Sequence, residues 1–336
     1  MKIKEYFIPK SMIYTGAHTN VQTKIIHYQF TSVSLTVTDS FEPNPSMKHY
    51  IQVIGLSEIE KIQSIKSYFK VDPLVLEDVF NVKQRNKLEL RDESLFCAFH
   101  IEYLDKREIK NDYLSILLYE DTIISFHETE PLYLLPIKTL IETSQDTKAK
   151  EIDYLFFQIL DIITDHHLDV FEYLEYESSR FEEKILETKN VDQEMFYLIR
   201  KQMLKLKNNV YPVLEQFDKI FNKRHLLFRD ENAGYYEDLK DHLKRLDDHL
   251  NQSRELMRHL LDLHINNQSN KMNRIMTTLT LFSAIFIPLS FLTGFFGMNF
   301  VNFGILQYEN AVGIFGLICL AIAGFMFFLF KKVKWF

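Results

Sequence analysis

Met276–Phe296 reads MTTLTLFSAIFIPLSFLTGFF, and Ala311–Phe330 reads AVGIFGLICLAIAGFMFFLF. No charged residue occurs between Ile275 and Tyr308. At about 1.5 Å of rise per residue, each run is long enough as a helix to cross a hydrocarbon core of ~30 Å. A buried helix hairpin in a soluble protein is the competing reading, and two uncharged runs of this length weigh against it. Lys271 and Arg274 precede the first run, Lys331, Lys332 and Lys334 follow the second, and the loop between them has no base. The positive-inside rule then predicts a multi-pass protein of the cell (inner) membrane, with both termini cytoplasmic and the loop 299–310 outside. The N-terminal MKIKEYFIPK lacks an apolar core, so no cleaved signal peptide is expected.

The rest of the chain is different in kind. Of a net charge of −7, residues 271–336 contribute five bases and one acid, which leaves −11 on residues 1–270. An acidic body argues against a nucleic-acid partner, which would need a basic face, and suits a cation better. Hydrophobic residues at 46% and charged residues at 25% exclude a largely disordered chain. Two cysteines, Cys97 and Cys319, cannot form a disulfide scaffold or a four-cysteine zinc site. Glycine and proline are scarce, 9 and 8 residues, less than half of average usage at about 12% for the two together. So few turn formers predict a mostly helical protein and argue against a many-stranded sandwich or propeller.

Ile25–Val37 and His49–Ile54 read as strands, rich in β-branched and aromatic residues. Leu56–Phe69 has helical spacing, and Asp72-Pro73 opens a short helix through Val79, with Asp72 as N-cap and Pro73 at its first position. Leu95–Tyr103, Tyr113–Tyr119 and Thr122–His127 read as three more strands. The expectation is a mixed α/β cytoplasmic domain over residues 1–136, then antiparallel long helices over 137–234. The helices are Leu155–Leu186 and Gln193–Phe221, apolar at helical spacing. Residues 235–298 read as a stalk helix continuing into the first span (about 276–296). Then follow the loop 299–310, the second span 311–330 and a basic tail 331–336. Along the stalk, Leu239, Leu243, Leu246, Leu250, Ser253, Met257 and Leu260 alternate at spacings of four and three, a seam that packs on other helices. Uninterrupted to Met298, that helix would be ~95 Å long.

The first span has a stripe of Asn273, Met276, Thr280, Ser283, Ile287, Ser290 and Gly294, smaller and more polar than its Leu, Phe and Ile neighbours. Such a stripe fits close helix packing or a pore lining, and one pair of spans can enclose a pore only in an oligomer. Gly297-Met298-Asn299, at the outer end of this span after Phe296, resembles the GMN signature of the CorA family of magnesium/cobalt transporters. Asn273–Asn299, the ending Lys331-Lys332-Val333-Lys334-Trp335, Leu74–Arg85 (LVLEDVFNVKQR) and Tyr235–Asn270 are similar to that family in the same order. The resemblance implies a funnel-shaped homopentamer whose pore is lined by the first span and whose cytoplasmic domain senses Mg²⁺. It implies a Mg²⁺ channel, with Co²⁺ as a second candidate cargo, and membrane lipid, divalent cations and copies of itself as partners.

Residue by residue, the resemblance implies a filter of Gly297, Met298 and Asn299 and a pore lined by Asn273, Met276, Leu279, Ser283, Ile287 and Ser290. Mg²⁺ gives up water reluctantly, so a ring of Asn299 amide oxygens would accept hydrogen bonds from its first-shell water. Met276 and Leu279 would form an apolar gate that closes by dewetting. Regulatory Mg²⁺ falls to Asp78, with Glu77 beside it, and Asp238. A second family pair falls near Glu175 and Ser179, where Ser179 cannot be an anionic ligand. Asp262 matches an acidic position at the inner mouth.

Other chemistry is not supported. No phosphate-binding loop, nucleotide motif or nucleophile–base arrangement is present, so the chain does not read as an enzyme. Asp165-His166-His167, and Asp238 with His242, have metal-ligand spacing but read as solvated helix faces. Neither span contains Asp or Glu, which argues against a proton relay. The loop after Asn299, FVNFGILQYEN, has Glu309 as its only acid, which leaves Co²⁺, Ni²⁺ and Zn²⁺ open as cargo. A proton-coupled zinc transporter of the same superfamily, or a membrane-tethered metal-sensing scaffold, are the alternatives.

Overall fold

Seven strands form one sheet in a computed structural model that describes residues 13–187, 192–221, 224–298, 304 and 308–333. They are β1 (Lys24–Phe30), β2 (Leu35–Thr38), β3 (Lys48–Ile54), β4 (Lys87–Leu90), β5 (Leu95–Asp105), β6 (Glu108–Leu118) and β7 (Thr122–His127). The order is β2-β1-β3-β7-β6-β5-β4, antiparallel except where β3 runs parallel to β7. That pair needs a crossover, which β3 enters through Gly55. Its φ is +84°, and a Cβ there would lie 2.8 Å from the Gln22 carbonyl, so only glycine fits without strain.

The helices are α1 (Ile59–Tyr68), α2 (Pro73–Phe80), α3 (Leu135–Thr143), α4 (Gln145–Ala149), α5 (Ile152–Leu186), α6 (Gln193–Phe221), α7 (Ala233–Phe296) and α8 (Ala311–Lys332). Contacts divide the chain into two units. The first, Met1–Lys184 with Asn190–Arg258, is three-layered. Ile51, Val53, Phe96, Ala98, Ile124 and Phe126 pack on one sheet face with Ile62 and Ile65 of α1 and Val75, Val79 and Phe80 of α2. Phe99, pointing the other way by strand alternation, meets Leu160 and Ile163 of α5, Val210 and Val213 of α6, and Leu239 and Leu243 of α7. The α6 helix also covers the edge strand β4. Gln216 Oε1 accepts from the Leu88 N–H at 3.0 Å, and Asn86 Nδ2 donates to the Asn209 carbonyl at 2.8 Å, which satisfies polar groups at the edge.

The leucine seam of α7 is buried along its length, from Leu239 at 1% exposure to Leu260 at 3%. Neither Pro212 in α6 nor Pro288 in α7 ends its helix. The second unit, Ile185–Lys189 with His259–Phe336, contains the C-terminal part of α7 and all of α8. Within it Asn267 Nδ2 donates to the Ile185 carbonyl at 3.0 Å, and the Phe296 and Phe315 rings lie 5.2 Å apart. Both long apolar helices qualify as membrane spans by length and composition, and no residue of α8 is buried within the chain.

Three local expectations need correction. Ile25–Val37 is a hairpin folded at Thr31–Ser34, where the Thr31 N–H donates to the Ser34 carbonyl at 2.9 Å and the two hydroxyls lie 2.7 Å apart. Strand β6 begins at Glu108 rather than Tyr113, because Asp105–Glu108 closes a hairpin with β5. His166 and His167 are not a freely solvated pair: His166 is half-buried with Nε2 3.0 Å from the Tyr133 carbonyl, and His167 is 4% exposed.

Candidate functional site

Asn273, Met276, Leu279, Ile287, Ser290 and Gly294 are exposed on α7 in the single chain, and Ser283 is half-buried. Exposure alone does not distinguish this stripe, since Phe282, Phe286 and Phe291 are equally open. The hydroxyls do. Thr278, Thr280 and Thr293 donate back to the carbonyls of Arg274, Met276 and Ser290 at 2.9, 2.8 and 3.0 Å. This return bond is how an isolated apolar helix satisfies such groups. The hydroxyls of Ser283 and Ser290, seven residues apart on one face, have no partner among the described residues. Left facing hydrocarbon, each would carry an uncompensated desolvation cost, so that face needs water or a neighbouring chain.

At the outer end, the Gly297 N–H donates to the Thr293 carbonyl at 2.9 Å and that of Met298 to the Phe295 carbonyl at 3.4 Å. A Cβ on Gly297 would stand 2.9 Å from the same Thr293 oxygen. The glycine therefore allows the last turn to close tightly just before Asn299, which lies outside the described residues.

The acidic candidates fall on α2, α5 and α7 of the first unit, except Asp262, which lies on the α7 segment beyond it. Asp72 caps α2 by accepting from the Leu74 N–H at 2.8 Å, and its other oxygen takes Arg91 at 2.9 Å. That cap positions Glu77 and Asp78, both partly exposed. Asp78 is not unpaired, because Lys87 Nζ lies 2.7 Å from its Oδ2 and also 2.9 Å from Glu89. Burial works against the charge on Lys87, but the hydrogen bonds it donates to Asp78 and Glu89 outweigh that and hold its pKa above the ordinary value. Asp238 on α7 has a side chain 67% exposed, with His242 Nε2 at 3.8 Å. Glu175 on α5 and Asp262 on α7 are exposed. No group of three or more His, Cys, Asp or Glu side chains able to hold a metal ion occurs among the described residues. Mg²⁺ keeps most of its waters and takes one or two carboxylates. This donor set therefore fits a hydrated ion between chains better than a dehydrated cage within one.

Sequence reasoning missed Asp161 and set Asp165 aside as part of a solvated helix face. Burial raises the pKa of both; Asp165 adds to the effect at Asp161 and Asp169 at Asp165, while His242 on α7 relieves each. Asp238 also adds repulsion at Asp161. The helix-spaced acids on α5 and the acid and histidine on α7 thus form one electronegative face. Their spacing of four was the available signal, but it is shared by any solvated helix face.

A family profile described as CorA-like Mg²⁺ transporter protein matches residues 54–332. The chain is similar to the cobalt/magnesium transport protein CorA of Thermotoga maritima, 26% identical over 100% of this chain and 98% of that protein. It is also similar to the zinc transport protein ZntB of Photorhabdus laumondii, 28% identical over 56% of this chain and 57% of that one. Among solved structures, the CorA magnesium transporter of Methanocaldococcus jannaschii shares the fold. Its TM-score is 0.80 at 18% identity, covering 94% of this chain and 100% of that one.

Proposed function

The chain belongs to the CorA-like Mg²⁺ transporter family, and from that premise we propose that it assembles as a homopentameric, channel-type importer of hydrated Mg²⁺, and of Co²⁺ less selectively. That it is a membrane transporter of divalent cations, and not an enzyme, follows from the family. The observation that carries the finer reading is the pair of unpartnered Ser283 and Ser290 hydroxyls on the stripe that begins at Asn273. Turned to a water-filled axis, they gain the partners the single chain denies them. Met276 and Leu279 on that stripe form the apolar constriction, and Gly297 sets the turn that brings the Asn299 amides to the outer mouth. The acidic body is assigned to the cytoplasm with both termini, a reading supported by the positive-inside rule applied to Lys271, Arg274, Lys331 and Lys332.

For regulation, Asp78 and Asp238 of neighbouring chains face one another, with Glu77 and Glu175 adding negative charge nearby and Asp262 at the inner mouth. Bound regulatory Mg²⁺ supplies positive charge that neutralises these carboxylates. Without it they repel, and the closed state loses its advantage. Lys87 already compensates half of the Asp78 carboxylate, so the exposed Asp238 carries more of the response. Asp238→Lys places a fixed cation there and is expected to hold the channel closed even at low cytoplasmic Mg²⁺. Flux equal to the unsubstituted protein would show the site to be elsewhere.

A second reading, zinc transport, is favoured by the similarity to ZntB. Ion flux into liposomes carrying the purified protein separates the two. Mg²⁺ entry independent of an imposed pH gradient supports the first, and Zn²⁺ entry that rises with that gradient, with no Mg²⁺ entry, supports the second.

A further inference from the structure

At the inner end of the second unit, α7 and α8 leave a groove of about 880 Å³ lined by Asn270, Asn273, Arg274, Thr277, Leu281 and Phe282, with Ile285 and Phe327 deeper along it. Its two ends differ in chemistry. The end nearest the N-terminal limit of the span offers a guanidinium, two side-chain amides and a threonine hydroxyl. The rest is hydrocarbon. Arg274 forms no ion pair among the described residues; its nearest charged neighbour along the chain, Lys271, is also a cation, and the nearest acid, Asp262, lies twelve residues before it.

The groove and the stripe lie on different sides of α7. At roughly 100° per residue, the groove residues from Asn270 to Ile285 centre about 140° around the helix from the stripe that runs from Met276 to Gly294. If the stripe faces the axis of an oligomer, the groove faces outward. Asn273 sits at the border between the two. An outward groove that is cationic at the interface and apolar below it is complementary to one kind of occupant.

We propose that this groove holds an anionic phospholipid of the inner leaflet. The phosphate lies against Arg274, with Asn270 and Thr277 as hydrogen-bond donors, and an acyl chain runs along Leu281, Phe282 and Ile285. The proposal rests on the membrane topology given under Proposed function. It does not depend on which ion is carried.

The test places a fluorophore in the groove of the full-length protein. Trp335 is the only tryptophan. Phe282→Trp in a Trp335→Phe background therefore reports from the apolar wall, at a position 60% exposed. The protein is reconstituted in phosphatidylcholine vesicles containing phosphatidylglycerol, with the acyl chains of one lipid or the other brominated. A single surface cation supplies a preference of about fivefold for an anionic lipid. Quenching by brominated phosphatidylglycerol should exceed that by brominated phosphatidylcholine by about this factor, and Arg274→Gln should abolish the excess. Inorganic phosphate added to the buffer should leave it unchanged.

Equal quenching by both lipids, or an excess that survives Arg274→Gln, overturns the proposal while leaving the spans in the bilayer. Loss of the excess on adding phosphate identifies a free anion as the ligand and also overturns it. Absence of quenching by either lipid means that a neighbouring copy covers the groove, or that the helix is not in the bilayer at all. Accessibility of the same tryptophan to aqueous acrylamide separates those two cases.

Discussion

A methyl group on Gly297 would have to share space with the Thr293 carbonyl at 2.9 Å, whereas one on Gly313 in α8 would meet nothing within 4 Å. Strain of about 1–3 kcal/mol at such a position would displace the segment that carries Met298 and Asn299. Gly297→Ala is therefore expected to lower Mg²⁺ flux about tenfold or more, with Gly313→Ala near the unsubstituted rate; equal flux for the two would refute the role given to the turn. Buried histidines make the first unit acid-sensitive. His127 bridges the Ser125 and Tyr133 hydroxyls at 2.8 and 3.2 Å, and burial depresses its pKa to about 3; burial, then His49, depresses that of His27 to about 4. Unfolding releases these imidazoles to bind protons, so stability is fully present above about pH 6.5 and falls as pH drops toward the folded values. Asp112 opposes this, since burial raises its pKa to about 6 and its contribution is lost as pH rises through that value. Thermal unfolding followed from pH 7 to pH 4 should show a net fall, and His127→Gln should flatten it. The resemblance named Gly297, Asn299, Asp78 and Asp238, but not Asp161 or Asp165. An acid on a helix is legible as functional only when its tertiary neighbours are known.

At the scale of elements, the long helices were the most legible part of the chain. Expected at Leu155–Leu186 and Gln193–Phe221, they are Ile152–Leu186 and Gln193–Phe221, because heptad and helical spacing repeat over many turns. Turns were the least legible. The hairpin at Thr31–Ser34 uses hydroxyls rather than glycine, and that between β5 and β6 places Lys106 and Arg107 at φ of +49° and +70°. A two-residue turn with both φ values positive normally takes Asn-Gly, so a chain poor in glycine hides its turns. The double substitution Lys106→Asn with Arg107→Gly is expected to stabilise the first unit by about 1 kcal/mol, as read by thermal unfolding. A neutral or destabilising result would mean that the turn residues are held by contacts outside the hairpin. Strand β4 was missed because Lys87–Leu90 alternates charge with leucine over only four residues. It exists as a strand because β5 pairs with it and α6 covers it.

At the scale of the molecule, the uneven charge proved more informative than the fold. A body of −11 and a membrane end with five bases and one acid describe a protein whose large acidic part attracts cations and whose basic residues flank its two apolar helices. The number of chains is not encoded in any periodicity of this sequence, since one pair of spans specifies only that a pore requires copies. The ion path is the central claim, and Mg²⁺ entry into liposomes loaded with a Mg²⁺-sensitive dye tests it most directly. The account predicts dye response with the unsubstituted protein, suppression by raised Mg²⁺ on the side facing the acidic domain, and loss of entry with Asn299→Ala. Entry that is unchanged by Asn299→Ala, or no entry by the unsubstituted protein at any Mg²⁺ concentration, would contradict it.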